Sequence, residues 1–124
     1  CIGADLAYFG TRFIATNEAN AVNEYKEMIV ASNADDIVYS SLFTGVHGSY
    51  LKGSITNAGL DPELLNDGDK QKMDFGSENT KSKAWKDIWG AGQGVGTMND
   101  ISSVKDLVEN LFDEYNSVIT KFIK

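Results

Sequence analysis

The first residues that could do chemistry are a glycine and a threonine that follow a short apolar stretch. Residues 4–13 read ADLAYFGTRF, which is typical of a buried strand that ends in a turn at Gly10-Thr11. Because a helix is expected soon afterwards, backbone N–H groups at this turn would be free to bind a phosphate. Gly10 lets oxygen atoms approach the backbone, and the Thr11 hydroxyl adds a donor. Many loops share this pattern, so these residues alone do not identify the ligand.

Other side chains with reactive groups are few. His47 is the single histidine and Cys1 the single cysteine, so they form no zinc site unless carboxylates join them. We interpret His47, in a glycine-flanked loop, as a structural residue rather than a general base. The alternating glycines of residues 90–96 match neither the spacing of a dinucleotide-binding fingerprint nor that of a P-loop. We therefore predict no catalytic residue within the chain and no metal site.

Composition restricts the class of protein and its partners. The chain has 124 residues, of which 42% are hydrophobic, and a formal net charge of −7. Such a length allows one domain at most. Its acidity, without a stripe of Lys and Arg, argues against a nucleic-acid partner, and no apolar run approaches the roughly 18 residues of a membrane span. One cysteine forms no intramolecular disulfide, so we expect a protein of the reducing cytoplasm.

The elements that position the Gly10-Thr11 turn are predicted from periodicity and capping residues. A helix is expected from Thr16, with Glu18 in its first turn. The β-branched and aromatic residues 37–43 indicate a second strand. A further helix is predicted for residues 50–58, with Gly59 as the residue beyond its end.

The second half of the chain is predicted to contain a loop and a closing helix. A short turn at Asp61-Pro62 leads into a charged, exposed loop that ends at residue 83. Trp85 and Trp89 are four residues apart, so we interpret them as packing residues rather than as a stack on a cofactor. The closing helix begins at Ser103-x-x-Asp106. Its apolar residues follow helical spacing without a break: Val104, Leu107, Val108, Leu111, Phe112, Tyr115, Val118, Ile119, Phe122 and Ile123.

Three blocks of the sequence resemble one known family. The segment GADLAYFGTRFIATNEA, followed by YKEMIVAS, resembles the last barrel strand and following helix of the nitronate monooxygenases, which are FMN-dependent (β/α)₈ barrels formerly called 2-nitropropane dioxygenases. The later IWGAGQGVG and the closing helix are similar to the C-terminal region of that family, and DIVYSSLFTGVHGSYLK to one of its subgroups. The resemblance covers nearly the whole chain.

The resemblance implies an α/β fold, the C-terminal part of an FMN-binding TIM barrel with a small, mostly helical α/β lobe. Residues 1–16 would form the last barrel strand and the phosphate-binding loop. Residues 17–101 would form the lobe, and residues 102–124 the helix that packs back on the core. Because the chain begins at Cys1 without an initiator Met, we expect it to be part of a longer protein whose upstream part completes the barrel.

The resemblance also assigns residues to a cofactor site. Tyr8, Phe9, Gly10 and Thr11 match the stretch that holds the FMN phosphate, chiefly through the backbone, although Tyr8 stands where the family commonly has Gln. Gln93 and Gly94 are expected near the mouth of the active site. The catalytic histidine of the family lies in a Gly-Gly-His motif that this chain lacks, and His47 does not take that role.

The activity that the resemblance implies is the oxidation of alkyl nitronates with O₂. In that scheme the chain contributes FMN anchoring, and by itself it is expected neither to hold FMN nor to turn over substrate. Two alternatives stay open: an FMN-dependent enoyl reductase of the same fold, and a noncatalytic interaction module. A homodimer also stays open.

Overall fold

The chain has a mixed α/β fold, seen in a computed structural model that describes residues 5–43, 45–64 and 86–122. Within these ranges the helices and strands are, in chain order, α1 (Thr11–Ile14), α2 (Asn23–Ala31), β1 (Ile37–Ser40), β2 (Gly48–Leu51), α3 (Lys52–Asn57) and α4 (Val104–Phe122). Short 3-10 turns occupy Ala34–Asp36, Pro62–Leu64 and Gln93–Thr97.

Residues 5–9 form neither strand nor helix, although their apolar character predicts a strand. A strand is stabilised by backbone hydrogen bonds to a neighbour, and the described part of the chain places none beside this segment. The side chains are exposed as a result: Leu6 is 91% accessible to solvent and Tyr8 is 100% accessible. This is the first departure from the sequence prediction.

A two-stranded antiparallel hairpin forms the sheet of the described structure. β1 pairs with β2 so that Ile37 lies opposite Leu51. The last two residues of β2, Tyr50 and Leu51, fall where a helix was predicted, and helix α3 begins only at Lys52. The difference has a non-local cause, because Leu51 N–H donates to the carbonyl of Trp89 at 2.8 Å and an isolated bridge joins Tyr50 to Gly90. Pairing on both sides holds these residues extended.

The helix predicted from Thr16 begins seven residues later, at Asn23. Thr16 is 1% exposed and forms an isolated parallel bridge with Ser102, and Asn17 N–H donates to the Ser102 carbonyl at 2.9 Å. This extended pairing excludes helical geometry at Thr16. It also joins the start of the lobe to the segment before α4.

The core lies between α2, β2 and the glycine-rich segment. Its main cluster consists of Ala15, Ile29, Leu51, Ala91, Val95 and Met98. A smaller cluster joins Ile55 and Ile88. Trp89 packs against the main cluster, in agreement with its interpretation as a packing residue, whereas Trp85 lies outside the described residues.

The end of α3 and the start of the turn that follows it are set by nearby residues, as predicted. Gly59 ends α3 with φ +82°, a conformation that favours glycine. The Asp61 carboxylate accepts a hydrogen bond from Glu63 N–H at 3.0 Å and caps the short turn that follows. Most of the predicted charged loop lies outside the described residues.

The closing helix is confirmed as α4. Leu107 is buried, whereas Phe112 is 63% exposed and Tyr115 is 53% exposed. Contact with the body of the described structure is thus confined to the first turns of the helix. Among the described helices, none has the length and apolar character needed to cross a membrane.

Candidate functional site

The Gly10-Thr11 turn begins the short helix α1 in the structure. Gly10 is the residue before α1, and its carbonyl accepts a hydrogen bond from Phe13 N–H at 3.0 Å. The first N–H groups of any helix have no partner within the helix, so those of Thr11 and Arg12 are donors without an intrahelical acceptor. Tyr8 and Phe9, the other residues predicted to hold a phosphate, precede it as exposed chain.

Gly10 leaves room for a ligand at this turn. A Cβ atom built on Gly10 meets no atom of the described structure within 4 Å. The backbone at Gly10 therefore faces open space in the described structure. Because φ at Gly10 is −115°, neither the backbone conformation nor packing within the described residues requires a glycine here.

The Thr11 hydroxyl connects the turn to the glycine-rich segment. Gly92 N–H donates to Thr11 Oγ1 at 3.0 Å, across 81 residues of sequence. The oxygen acts as an acceptor in this contact, so its own hydrogen stays available as a donor. Gln93 and Gly94, predicted near the active-site mouth, follow directly and are exposed. The structure thus brings the two predicted site segments together.

A shallow, mostly apolar depression of about 350 Å³ lies beside the turn. No charged side chain lines it, and its wall is formed by Gly10, Phe13, Ile14, Ala19, Asn20, Ala21 and Tyr25. A flat, largely apolar ligand with an anionic end would therefore have an apolar surface next to free N–H groups.

Tyr25 also lines this depression, although the sequence prediction did not single it out. Its hydroxyl donates to the carbonyl of Gly90, and its ring stacks on Trp89 with centroids 5.0 Å apart. Burial raises the pKa of Tyr25 above its ordinary value, so the phenol stays protonated and continues to donate. No local motif distinguishes this residue, because its partners are distant in sequence.

A second cavity, of about 300 Å³, lies on the other side of α1. Asp100, Asp113 and Glu114 contribute carboxylates to its lining, and Arg12 contributes the balancing charge. The Arg12 guanidinium donates to the Thr97 carbonyl at 3.4 Å and lies 3.9 Å from Glu114. An excess of negative charge makes this cavity unsuitable for a phosphate.

The remaining candidate residues have structural contacts. His47 is exposed, and its ring stacks on Tyr39 at a centroid distance of 4.9 Å. The Asp36 carboxylate accepts a hydrogen bond from Asn33 N–H at 2.9 Å and closes a capping box. Cys1 lies outside the described residues. The described ranges contain no cluster of three or more His, Cys, Asp or Glu residues able to hold a metal ion.

Two solved structures are similar to the chain. FabK from Thermotoga maritima is 25% identical, with a TM-score of 0.64 over 91% of this chain and 37% of that chain. A variant of the same FabK with one methionine replaced by alanine is 24% identical, with a TM-score of 0.59 over 91% of this chain and 34% of that chain. This chain therefore spans little more than a third of their length.

Sequence comparison gives the family. No match was found among curated proteins. The sequence profile described as nitronate monooxygenase matches residues 1–114, which include both segments that meet at Thr11 and Gly92. Because the match covers most of the chain, the protein belongs to the nitronate monooxygenase family.

Proposed function

We propose that the chain is the C-terminal part of an FMN-dependent oxidoreductase and that its Gly10-Thr11 turn anchors the FMN phosphate. The observation that carries the proposal is the contact of Gly92 N–H with Thr11 Oγ1 at 3.0 Å, which joins the segment that the family resemblance assigns to the FMN phosphate with the segment that it places near the active-site mouth. Free N–H groups, a hydroxyl donor and the open space at Gly10 suit a phosphate.

We also propose that this turn is the phosphate-binding loop after the last strand of a TIM barrel. Residues 1–16 would supply the last strand of a TIM barrel and its phosphate loop, residues 17–101 a small lobe, and residues 102–124 a closing helix. Phosphate sites of such barrels recur in the loops after the last two strands. The unpaired segment 5–9 lies directly before the turn, where a barrel strand with neighbours on both sides would lie.

The proposed reaction is the oxidation of alkyl nitronates with O₂. Bound FMN supplies the electron-transfer chemistry. The residues of this chain would hold its phosphate, and Phe13, Ile14 and Tyr25 would give the ligand an apolar surface beside the turn. Gln93 and Gly94 would lie near the mouth, and the base that acts on substrate would come from the upstream part of the same protein. The single cysteine supports action in the reducing cytoplasm.

An FMN-dependent enoyl reductase of the same fold is the alternative, since it would use the same phosphate anchor. The two are separated by assays on the whole protein, with the sequence upstream of Cys1 included. We expect O₂ uptake with an alkyl nitronate and without NADH. Oxidation of NADH that depends on an enoyl thioester would instead assign the reductase activity. A whole protein that purifies without flavin, and regains none from added FMN, would contradict both and favour a noncatalytic interaction module.

A further inference from the structure

The segment that joins α1 to α2 forms part of the wall of the depression beside the phosphate turn. We call residues 15–22 the connecting segment. Its residues Ala19, Asn20 and Ala21 line the depression together with residues of α1 and with Tyr25 of α2. These three residues carry no charge, so they would face the uncharged part of a flavin rather than its phosphate.

The lining residues themselves make few hydrogen bonds. Ala19 N–H donates to the Thr16 carbonyl at 3.4 Å, which is long for such a bond. Among the described residues, neither Asn20 nor Ala21 forms a hydrogen bond. The position of this part of the wall therefore depends on how the two ends of the connecting segment are held.

The end that leads into α2 is held by the helix. The Val22 carbonyl accepts hydrogen bonds from Tyr25 N–H and Lys26 N–H, at 3.1 and 3.3 Å. These are the hydrogen bonds that begin α2, so this end needs no contact with another part of the chain.

The other end is held by the residues at the start of α4. Thr16 forms a bridge with Ser102, and Asn17 N–H donates to the Ser102 carbonyl at 2.9 Å. Glu18 is the last anchored residue before the wall, because both of its carboxylate oxygens accept from Val104 N–H, at 3.1 and 3.0 Å. Both partners belong to this chain, so the contact does not depend on what the upstream part of the protein covers.

Helix α4 has a cap of its own besides Glu18. The Ser103 hydroxyl accepts from Asp106 N–H at 3.0 Å, as is usual at a helix N-terminus. The Glu18 carboxylate reaches the same helix end from 86 residues away. What sets Glu18 apart from Ser103 is that its contact also fixes the connecting segment next to the lining residues.

We propose that Glu18 is a positioning residue of the flavin site, an inference that rests on the proposed function, and that it couples ligand binding to the capping of α4. With the carboxylate on Val104 N–H, residues 19–21 are held as a wall. Without that contact, they are tied only through α2 and through the backbone pairing at Ser102. Because such coupling is reciprocal, a ligand that needs the wall strengthens the cap, and loss of the cap weakens binding of the ligand.

The test measures the dissociation constants of FMN and of riboflavin for the whole protein and its variants. We expect Glu18→Ala to bind both ligands about three- to tenfold more weakly, because a smaller fraction of the molecules has the wall in place. Glu18→Gln keeps one acceptor oxygen, so it should bind both ligands only about twofold more weakly than the unaltered protein.

Ser103→Ala is the matched control, because it removes the other cap of the same helix end and leaves the connecting segment unaltered. Thermal unfolding should show similar decreases in melting temperature for Ser103→Ala and Glu18→Ala, whereas flavin binding should change only in Glu18→Ala. Hydrogen exchange at Val104 gives a second readout. We expect FMN to slow this exchange in the unaltered protein and to leave it unaltered in Glu18→Ala.

Three results would overturn the proposal. Equal weakening of flavin binding in Glu18→Ala and Ser103→Ala would show that only the stability of the helix end matters. Unaltered binding in Glu18→Ala would show that the wall does not depend on the cap. Weakening of FMN binding alone, with riboflavin binding unaltered, would assign the effect to the phosphate turn instead.

A failure of the proposed function gives a different result. The unaltered whole protein would then bind neither FMN nor riboflavin, and this inference would fall with the proposed function before any variant is compared.

Discussion

Glu18 joins two parts of the chain through one carboxylate. Both of its oxygens accept from Val104 N–H, at 3.1 and 3.0 Å, and Val104 is the first residue of the 19-residue helix α4. Ser103 adds a second cap, since Asp106 N–H donates to its hydroxyl at 3.0 Å. The sequence predicts Glu18 in the first turn of a helix from Thr16, which is wrong: Glu18 lies in no helix, and its carboxylate instead caps the N-terminus of α4.

This double contact predicts the effect of replacing Glu18. Glu18→Ala removes both the acceptor and the negative charge, and should lower the free energy of unfolding by about 1 kcal/mol. Glu18→Gln keeps an acceptor and should lower it by roughly half as much. Urea denaturation measures both. Glu27→Ala, on the exposed side of α2, is the control. Equal losses for Glu18→Ala and Glu27→Ala would show that the cap contributes nothing specific.

At the scale of elements, α2 is held to the glycine-rich segment by Tyr25. The ring stacks on Trp89, and the hydroxyl donates to Gly90. Gly90 in turn forms the bridge with Tyr50 that keeps the second strand of the hairpin extended. One side chain therefore connects the helix, the hairpin and the segment that reaches Thr11.

Replacing Tyr25 with Phe tests this connection. The ring stack is kept and one hydrogen bond is lost, so we expect a decrease of about 1 kcal/mol in the free energy of unfolding. Because the pKa of Tyr25 is raised above 10.0 by burial, the folded protein keeps the phenolic proton more tightly than the unfolded chain does. The difference in free energy of unfolding between the unaltered protein and Tyr25→Phe should be constant below pH 10 and decrease above it. If this difference in free energy instead increased above pH 10, the folded protein would not hold the Tyr25 proton more tightly, and the raised pKa would be wrong.

The sequence predicts the helices and helix ends that depend on neighbouring residues. It does not predict the boundaries that depend on residues distant in the chain. Helix α4 has a cap, an unbroken apolar face and no competing partner, and the end of α3 needs only the positive φ of Gly59. The start of α2 and the second strand depend instead on pairing with Ser102 and with Trp89. Nothing near residue 16 or residue 48 signals those partners, so periodicity alone extended the helices too far.

At the scale of the whole molecule, the candidate site combines residues that could be identified from the sequence with residues that only the fold brings together. The Gly10-Thr11 turn could be proposed as a phosphate site from the sequence, because a glycine and a threonine at a turn suit a phosphate and because the segment resembles one family. The proximity of Gly92 to Thr11, and the presence of Tyr25 beside the turn, follow from the tertiary fold and have no sequence motif. The residues that would act on substrate are predicted to lie upstream, so under the proposed function the chain would contribute an anchor rather than a catalytic centre.

The central claim is that the Gly10-Thr11 turn binds the phosphate of FMN. It is tested most directly by the dissociation constants of FMN and of riboflavin, which lacks that phosphate, for the whole protein and its Gly10→Val variant. A valine here meets no atom of the described structure within 4 Å of its Cβ, so the fold should tolerate it while the phosphate is excluded. Ala31→Val, at the exposed end of α2, is the control.

We expect Gly10→Val to weaken FMN binding about 10- to 100-fold, because one or more hydrogen bonds to a charged group are lost. Riboflavin binding should be unaltered in Gly10→Val, and Ala31→Val should bind both ligands as the unaltered protein does. If Gly10→Val weakens the binding of FMN and of riboflavin equally, or weakens the binding of neither, the turn does not bind the phosphate.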